Sequence, residues 1–490
     1  MSRARTIARR TLLIGSAAIA GGVAFGVYTL RRPHPNPLLG DLEDGEVSFN
    51  PWVKISGTGV TLIAPHTDLG QGVRSMQAAL IAEEMDLAWG QFEVVPGDPD
   101  AAYYNRALGN EAAPFLSTDT SFRAEAARGF FGALFKLMGA QVTGGSSSAP
   151  DSFDKLREAG AVARETLKRA AAQVTGVAIE DLTTSGGAVV LPDGTGIPYT
   201  DLAATAATVS PVRNVELRPP ERWRLIGKPM QRLDVAEKAT GKTPYGIDLH
   251  FDGMVYAAIR TNPRQGGALL SYDAGAAAAM PGVERIVEVT GGVAAIAGNT
   301  WQAFRAVDAV TCDWGPAPYP AEMDGHWAAV ADSFTEDRLG GVWRDDGDAD
   351  AALSGAASIV EAEYRAPYLA HQPLEPLSAI VEVGEDRVDI WAGHQMPIFA
   401  EQRVAEIAGI DPAHGHLHKQ YVGGSFGHRL EFDNIDRAAE IAVQMKGVPV
   451  KLTYSREEDF AHDYPRQIAM ARGRGTVKDG RIEVLDLAIA

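Results

Sequence analysis

One cysteine, Cys312, occurs in 490 residues. With a single thiol there is no intrachain disulfide, no thiolate-held iron–sulfur cluster and no Cys-rich zinc site on this chain alone. Cys312 is therefore expected to be a small hydrophobe in the core. Positive charge is also scarce, with 45 Lys and Arg against 63 Asp and Glu and a formal net charge of −18. That balance excludes nucleic acid as a natural partner. The shortage is uneven. Residues 1–32 hold Arg3, Arg5, Arg9, Arg10, Arg31 and Arg32 and no carboxylate, so the rest is more acidic than the total implies. Long apolar runs are missing apart from one of 20 residues, Thr11 to Leu30. The composition is otherwise that of a globular protein, and the length suits about three domains.

That apolar run follows Arg9 and Arg10 directly, a twin-arginine pattern. It is rich in Gly and Ala, and about 20 apolar residues can also span a bilayer as a plain anchor. No small-x-small cleavage site precedes the linker RRPHPNP, residues 31–37. The expectation is a twin-arginine signal retained as an anchor, with the remainder facing the periplasm. This route carries proteins that are already folded.

Beyond the linker, residues 52–65 alternate as strands around a Gly-Thr-Gly turn, and Met76, Leu80, Met85 and Leu87 predict a helix over 75–89. Gly70 and Gly72 flank Gln71 just before it. Residues 91–98 read as a strand. TGGSSSAP, residues 143–150, precedes a helical pattern through Phe153, Leu156, Ala159, Ala163, Leu167, Ala170 and Val174. Strands are predicted over 254–260, 283–289 and 388–393, and a hairpin around Lys478, Asp479 and Gly480. Residues 481–490 read as a strand.

The densest signal is GGSFGHRLEF, residues 423–432, between a strand-like run over 418–422 and a helix-like run over 433–445. Glycines at a strand-to-helix junction let backbone approach a bound group closely, and the following helix offers unpaired N–H groups to an anion. Upstream lies WAGHQMP, residues 391–397, and downstream LTYSREEDF, residues 452–460. In that order and spacing, the three segments resemble the molybdenum-binding large subunit of the xanthine dehydrogenase and aldehyde oxidase family. Residues 227–273 look like that family's small alpha/beta hammerhead domain.

The resemblance covers nearly the whole chain after about residue 45. It implies an α+β fold in which molybdenum-cofactor-binding portions flank a hammerhead domain. The expected segments are a signal and linker over 1–44, a cofactor-binding portion over 45–220, the hammerhead over 225–316, a connection over 317–350, and a second cofactor-binding portion over 351–490. In close relatives of xanthine dehydrogenase the GQG and small-residue segments lie near the C-terminal end. Here they come first. That permuted order, with the twin-arginine pattern, is similar to the branch formed by the beta chains of isoquinoline 1-oxidoreductase. Members of that branch are longer by about half, and the chain stops in a strand. A truncated product or one half of a split polypeptide is therefore expected, with a downstream half as partner.

The resemblance implies hydroxylation of a carbon next to nitrogen, or of an aldehyde carbon, by a molybdopterin cofactor, expected as the cytosine dinucleotide. The pterin dithiolene holds the molybdenum, so no protein metal ligand is expected, and His394 and His428 stand apart in sequence. Gln395 matches a glutamine that hydrogen-bonds a ligand of the metal. Gly424, Phe426 and Gly427 match the loop passing close to it, with Phe426 near substrate. Gly70, Gln71 and Gly72 match the GQG turn at the pterin phosphate, and Ser146, Ser147 and Ser148 the small-residue segment whose hydroxyls admit phosphate oxygens. Leu430 stands where xanthine-oxidising members carry glutamate, which favours an aromatic N-heterocycle or an aldehyde over a purine. No catalytic residue is assigned, because the glutamate base is expected beyond Ala490. Glu375 is expected to serve structure, Glu431 to start a solvated helix, and residues 456–459 to form a solvated charged turn.

The implied partner is a small subunit with two [2Fe-2S] clusters, since this chain lacks the cysteines for them. Two other readings compete. One is a non-catalytic scaffold or remnant of such a protein. The other, made without the resemblance, is an anchored periplasmic binding protein with an acidic surface.

Overall fold

The computed structural model describes residues 32–490, so the twin-arginine and apolar segments lie outside the described residues. Helices and strands are mixed, an α+β protein, and the chain forms two discontinuous units. The first contains residues up to 251 together with 379–447, and the second contains 252–378 and 448–490. The segment expected over 225–316 is thus divided, its first part lying in the first unit.

In the first unit, strands Val47–Asn50, Val53–Ile55, Val60–Ala64 and Glu93–Pro96 form one sheet in that order. The last pair is parallel, joined across the helix Val73–Met85. That helix packs against the 28-residue helix Ser148–Thr175. The helix Val73–Met85 is buried nearly all round rather than on one stripe, and Glu83 and Glu84 are fully buried within it. Each finds partners, as a buried carboxylate must. Glu84 meets Arg157 at 2.9 Å and Arg164 at 3.2 Å. One oxygen of Glu83 accepts from the backbone N–H groups of Arg224, Leu225 and Ile226 at 2.8, 2.5 and 3.2 Å. These bonds bind residues 218–226 to the helix.

Residues 379–447 add strands Ser378–Val383, Val388–Ala392 and Gly415–Lys419, the last two parallel, with helices Pro397–Ala408 and Asp433–Val443. The helices Arg106–Glu111 and Phe122–Leu137 and the small sheet Thr183–Ser185, Ala188–Val190, Gly196–Pro198 were not anticipated. No helix among the described residues is long and apolar enough to cross a membrane.

In the second unit, strands Val283–Val289, Gly292–Ala297 and Val255–Thr261 are antiparallel, and Val450–Thr453 adds to the last in parallel. Helix Thr300–Asp308 covers this sheet with Ala303, Ala306 and Val307. The hairpin at Asp479 and Gly480, both at positive φ, joins strands Ala469–Lys478 and Arg481–Ile489. Cys312 is only half-buried, on strand Thr311–Trp314, and packs beside the small core there. The charged run 456–459 is no solvated turn. It opens a helix capped by Ser455, with Glu458 and Asp459 buried. Glu458 accepts from the N–H and hydroxyl of Thr261 at 2.7 and 2.5 Å, which is why the acid lies inside.

Candidate cofactor site

Four segments far apart in sequence meet in the first unit. Residues 66–72 leave strand Val60–Ala64 and turn into helix Val73–Met85. Residues 143–148 lead into helix Ser148–Thr175. Residues 393–396 follow strand Val388–Ala392, and residues 423–430 lie between strand Gly415–Lys419 and helix Asp433–Val443. All are therefore strand-to-helix or loop-to-helix junctions, where backbone groups are left for other partners.

Their joints are short hydrogen bonds. The Thr67 hydroxyl donates to the His394 carbonyl at 2.9 Å, and the Thr67 N–H to the Thr143 hydroxyl at 2.9 Å. The Thr143 N–H donates to the Gln395 carbonyl at 2.9 Å, and Gln395 Nε2 returns a bond to the Thr143 carbonyl at 2.6 Å. The Ser425 hydroxyl donates to Gln395 Oε1 at 2.5 Å, and Ser425 Oγ accepts from the Arg429 N–H at 2.9 Å. Gln395 is almost wholly buried. Its side chain thus ties the 143–148 turn to the 423–430 loop.

His394 is buried. It accepts from the Met396 N–H at 3.0 Å through Nδ1 and faces the Glu431 carbonyl at 3.0 Å through Nε2, which must then carry the proton. Burial, with the nearby Arg429 charge, pushes its pKa down to about 4, so the ring is neutral. Glu431 is half-buried rather than a solvated helix start, because its carbonyl is held by this ring. Lys419 donates to the Pro65 and Gly97 carbonyls at 2.9 and 2.6 Å. Burial lowers its pKa to about 8, against the raising effect of Asp98.

The predicted residues divide by what they present. Gly424 and Gly427 hold φ of 97° and 114°, and Phe426 between them holds φ of 60°. A bulky residue in the left-handed region is strained and persists where its surroundings force it. Its ring is 73% exposed, presented outward from a loop held by Ser425. Gly70 is exposed at φ 99° with no heavy atom within 4 Å of the position a Cβ would take. Gln71 braces its own turn, accepting from the Leu69 N–H at 2.6 Å and donating to the Thr67 carbonyl at 3.1 Å. Gly72 caps helix Val73–Met85 at φ 84°.

The three serines are not equivalent. Ser147 Oγ donates to the Gly144 carbonyl at 2.6 Å and accepts from Asn105 at 2.7 Å. Ser148 Oγ lies 2.8 Å from His66 Nδ1, while His66 Nε2 is 3.5 Å from Asp151. Burial holds His66 below its ordinary pKa, outweighing Asp151. With the neutral ring's proton placed toward the Asp151 carboxylate, Nδ1 accepts a hydrogen bond from the Ser148 hydroxyl. Ser148 then offers only lone pairs outward. Ser146, exposed at φ 54°, is left as the outward hydroxyl donor. The backbone start of the 28-residue helix adds to it, since its cap residue Ser147 makes no side-chain cap bond.

Sequence reasoning missed Thr67, Thr143 and Ser425. All three lie in or beside the motif segments, and a small hydroxyl residue next to a glycine turn is the signal that marks them. His66 and Asp151 bracket the same segments, but their pairing needs the fold.

Residues 333–490 match a molybdopterin cofactor-binding domain. Relatives align over more. The beta chain of isoquinoline 1-oxidoreductase from Brevundimonas diminuta is 28% identical, over 99% of this chain and 64% of its own length. The membrane-bound aldehyde dehydrogenase [pyrroloquinoline-quinone] of Gluconacetobacter polyoxogenes is 26% identical, over 96% and 58%. The nicotine 6-hydroxylase large subunit of Paenarthrobacter nicotinovorans is 24% identical, over 49% and 35%. The chain therefore spans less than two thirds of the length of each of these relatives. The class is that of a molybdopterin-binding protein. More narrowly, the chain is similar to the molybdopterin-binding large subunits of the xanthine dehydrogenase and aldehyde oxidase family.

The donor set suits such a cofactor. The first unit presents backbone turns at positive φ, open space over Gly70, and neutral hydroxyl and amide groups.

Proposed function

We propose that this chain is the cofactor-binding large subunit of a molybdenum hydroxylase acting on an aromatic N-heterocycle or an aldehyde. The observation that supports it is the meeting of four motif segments around His394 and Gln395 within one unit. In this reading Gly70, Gln71, Gly72, Ser146, Ser147 and Ser148 line the pterin and phosphate side, and Gln395, Gly424, Phe426 and Gly427 the metal side. When bound, the cofactor supplies the oxidation, with water as the oxygen source and electrons leaving to iron–sulfur clusters on a separate small subunit. Ser146 and the start of the long helix donate to anionic oxygens. Ser148 accepts from a pterin N–H. Phe426 offers an apolar face to a flat substrate, and Leu430 disfavours a purine. The cofactor is proposed as the cytosine dinucleotide form. The segment order is read as a permuted one, and the N-terminal segment as a twin-arginine anchor that leaves the folded part in the periplasm.

The test is co-expression with a two-cluster iron–sulfur protein, followed by dye reduction with a panel of quinolines, isoquinolines, nicotinate and aldehydes. Turnover of any member that is lost in a Gly427→Val variant supports the reading. A cofactor-loaded complex that reduces no dye with either class overturns it.

A further inference from the structure

The helix Phe122–Leu137 carries an apolar face that the described residues leave open to solvent. Phe122 is 88% exposed, Phe130 65%, Leu137 54% and Met138 52%. With Ala126 and Leu134 these residues follow one another at helical spacing and make a single stripe. The helix is not loosely placed. Its other face sits on helix Arg106–Glu111 through two glycines. A Cβ at Gly132 would come within 2.2 Å of Asn110, and one at Gly109 within 2.8 Å of the Phe131 carbonyl. Ser121 caps its start, and Arg128 ties it to the Asp119 and Leu116 carbonyls at 2.7 Å each. The stripe is therefore held outward by packing.

The chain itself says what lies beside it. His34 bonds the Lys136 carbonyl at 2.9 Å, and its ring lies 5.6 Å from that of Tyr104, over which Lys136 also sits. The 20-residue uncharged apolar run ends at Leu30, four residues earlier. Four extended residues reach at most about 14 Å. The run thus ends four residues, at most about 14 Å of extended chain, before a residue that is hydrogen-bonded to the C-terminal end of the helix. The helix also carries Arg123, Arg128 and Lys136 against Glu125 alone, a cationic element on an acidic protein. Cations of that kind favour an anionic lipid surface. Its 16 residues are too few to span but suit lying in the interface.

We propose that the exposed face of helix Phe122–Leu137 lies in the surface of a lipid bilayer, as a second contact beside an inserted run at residues 11–30. This rests on the reading of that run as an anchor. The pair fixes which side of the first unit faces the membrane, because one attachment alone leaves the protein free to swivel.

The test uses the full chain in vesicles of phosphatidylcholine and phosphatidylglycerol. On a Cys312→Ser background, single cysteines are placed by Phe130→Cys, Leu137→Cys, Ala20→Cys and Asp193→Cys, and labelled with a polarity-sensitive fluorophore. Phe130, Leu137 and Asp193 are exposed, so labelling there leaves the packing intact. Lipids carrying nitroxide at the headgroup or at a shallow acyl position serve as quenchers. Labels at 130 and 137 are expected to shift to shorter wavelength and to be quenched most by the shallow nitroxide, while that at 193 is unaffected. Quenching at 20 with none at 130 and 137 leaves the anchor standing and overturns the docked helix. A wavelength shift at 130 and 137 without lipid quenching means that protein covers the face, and also overturns it. No quenching at any position overturns both the docking and the anchor.

Discussion

The Ser425 hydroxyl donates to Gln395 Oε1 at 2.5 Å, while the same amide's nitrogen donates to the Thr143 carbonyl at 2.6 Å. One buried side chain therefore holds two separate loops in register. A side chain in this position acts first on the shape of the site, and any contact with a bound group uses the amide's remaining capacity.

Replacing it by an apolar side chain of similar size, Gln395→Met, leaves the Ser425 hydroxyl and the Thr143 carbonyl without this partner. The cost expected is about 1–3 kcal/mol for each group left unsatisfied. Urea unfolding of the two proteins measures it. A variant as stable as the parent contradicts the node described here.

Glu84 is buried among Arg157, Arg164 and the Arg218 N–H, the last at 3.1 Å. Glu84→Ala strands two guanidinium groups and is expected to destabilise by about 3–5 kcal/mol. Glu84→Gln keeps the shape but weakens the charge pairing, and should fall between the two. Equal stability of parent and Glu84→Ala would show that the strap over 218–226 does not depend on it.

Acid should loosen the site before it unfolds the whole. His394 has a folded pKa of about 4, below the ordinary imidazole value of 6.5. The unfolded chain binds the extra proton first, so stability is full above about 6.5 and falls as pH drops toward 4. This residue's share is roughly 3 kcal/mol across that window. A His394→Gln protein should show a shallower acid limb in thermal melts between those two pKa values. Parallel limbs would contradict the assignment.

In the second unit, the strand Arg481–Ile489 forms one side of a three-stranded sheet and exposes Leu485, Leu487 and Ile489, each more than half exposed. An apolar edge strand is a template for association. Leu485→Lys with Leu487→Lys is expected to raise the soluble, monodisperse fraction, with stability changed by no more than about 0.5 kcal/mol for each surface change. Light scattering against protein concentration checks this.

Much of the architecture was legible from local pattern. Strand Val283–Val289 falls where alternation put it, and helix Ser148–Thr175 where Leu156, Ala163, Leu167 and Ala170 recur. What periodicity could not show was burial of charge. Glu83, Glu84 and Glu458 look like solvent-facing positions, and only partners distant in sequence explain their burial. The motif residues Gly424, Phe426 and Gly427 were visible as a loop, but the left-handed backbone at Phe426 was not. Nor was the way His66 turns Ser148 into an acceptor, since it joins residues 82 apart. The helix Phe122–Leu137 carries its own signal, Ser121 before an apolar stripe, but it lies between the recognised motifs and shares none of their residues.

The measurement closest to the central claim is molybdenum and pterin content per chain, by elemental analysis and by fluorescence of the oxidised pterin, for the parent and for Gly427→Val. The account predicts molybdenum and pterin in equal amounts approaching one per chain in the parent, and loss of both in the variant at unchanged fold. Neither molybdenum nor pterin in the folded parent, expressed with its cofactor supply and small subunit, would contradict it.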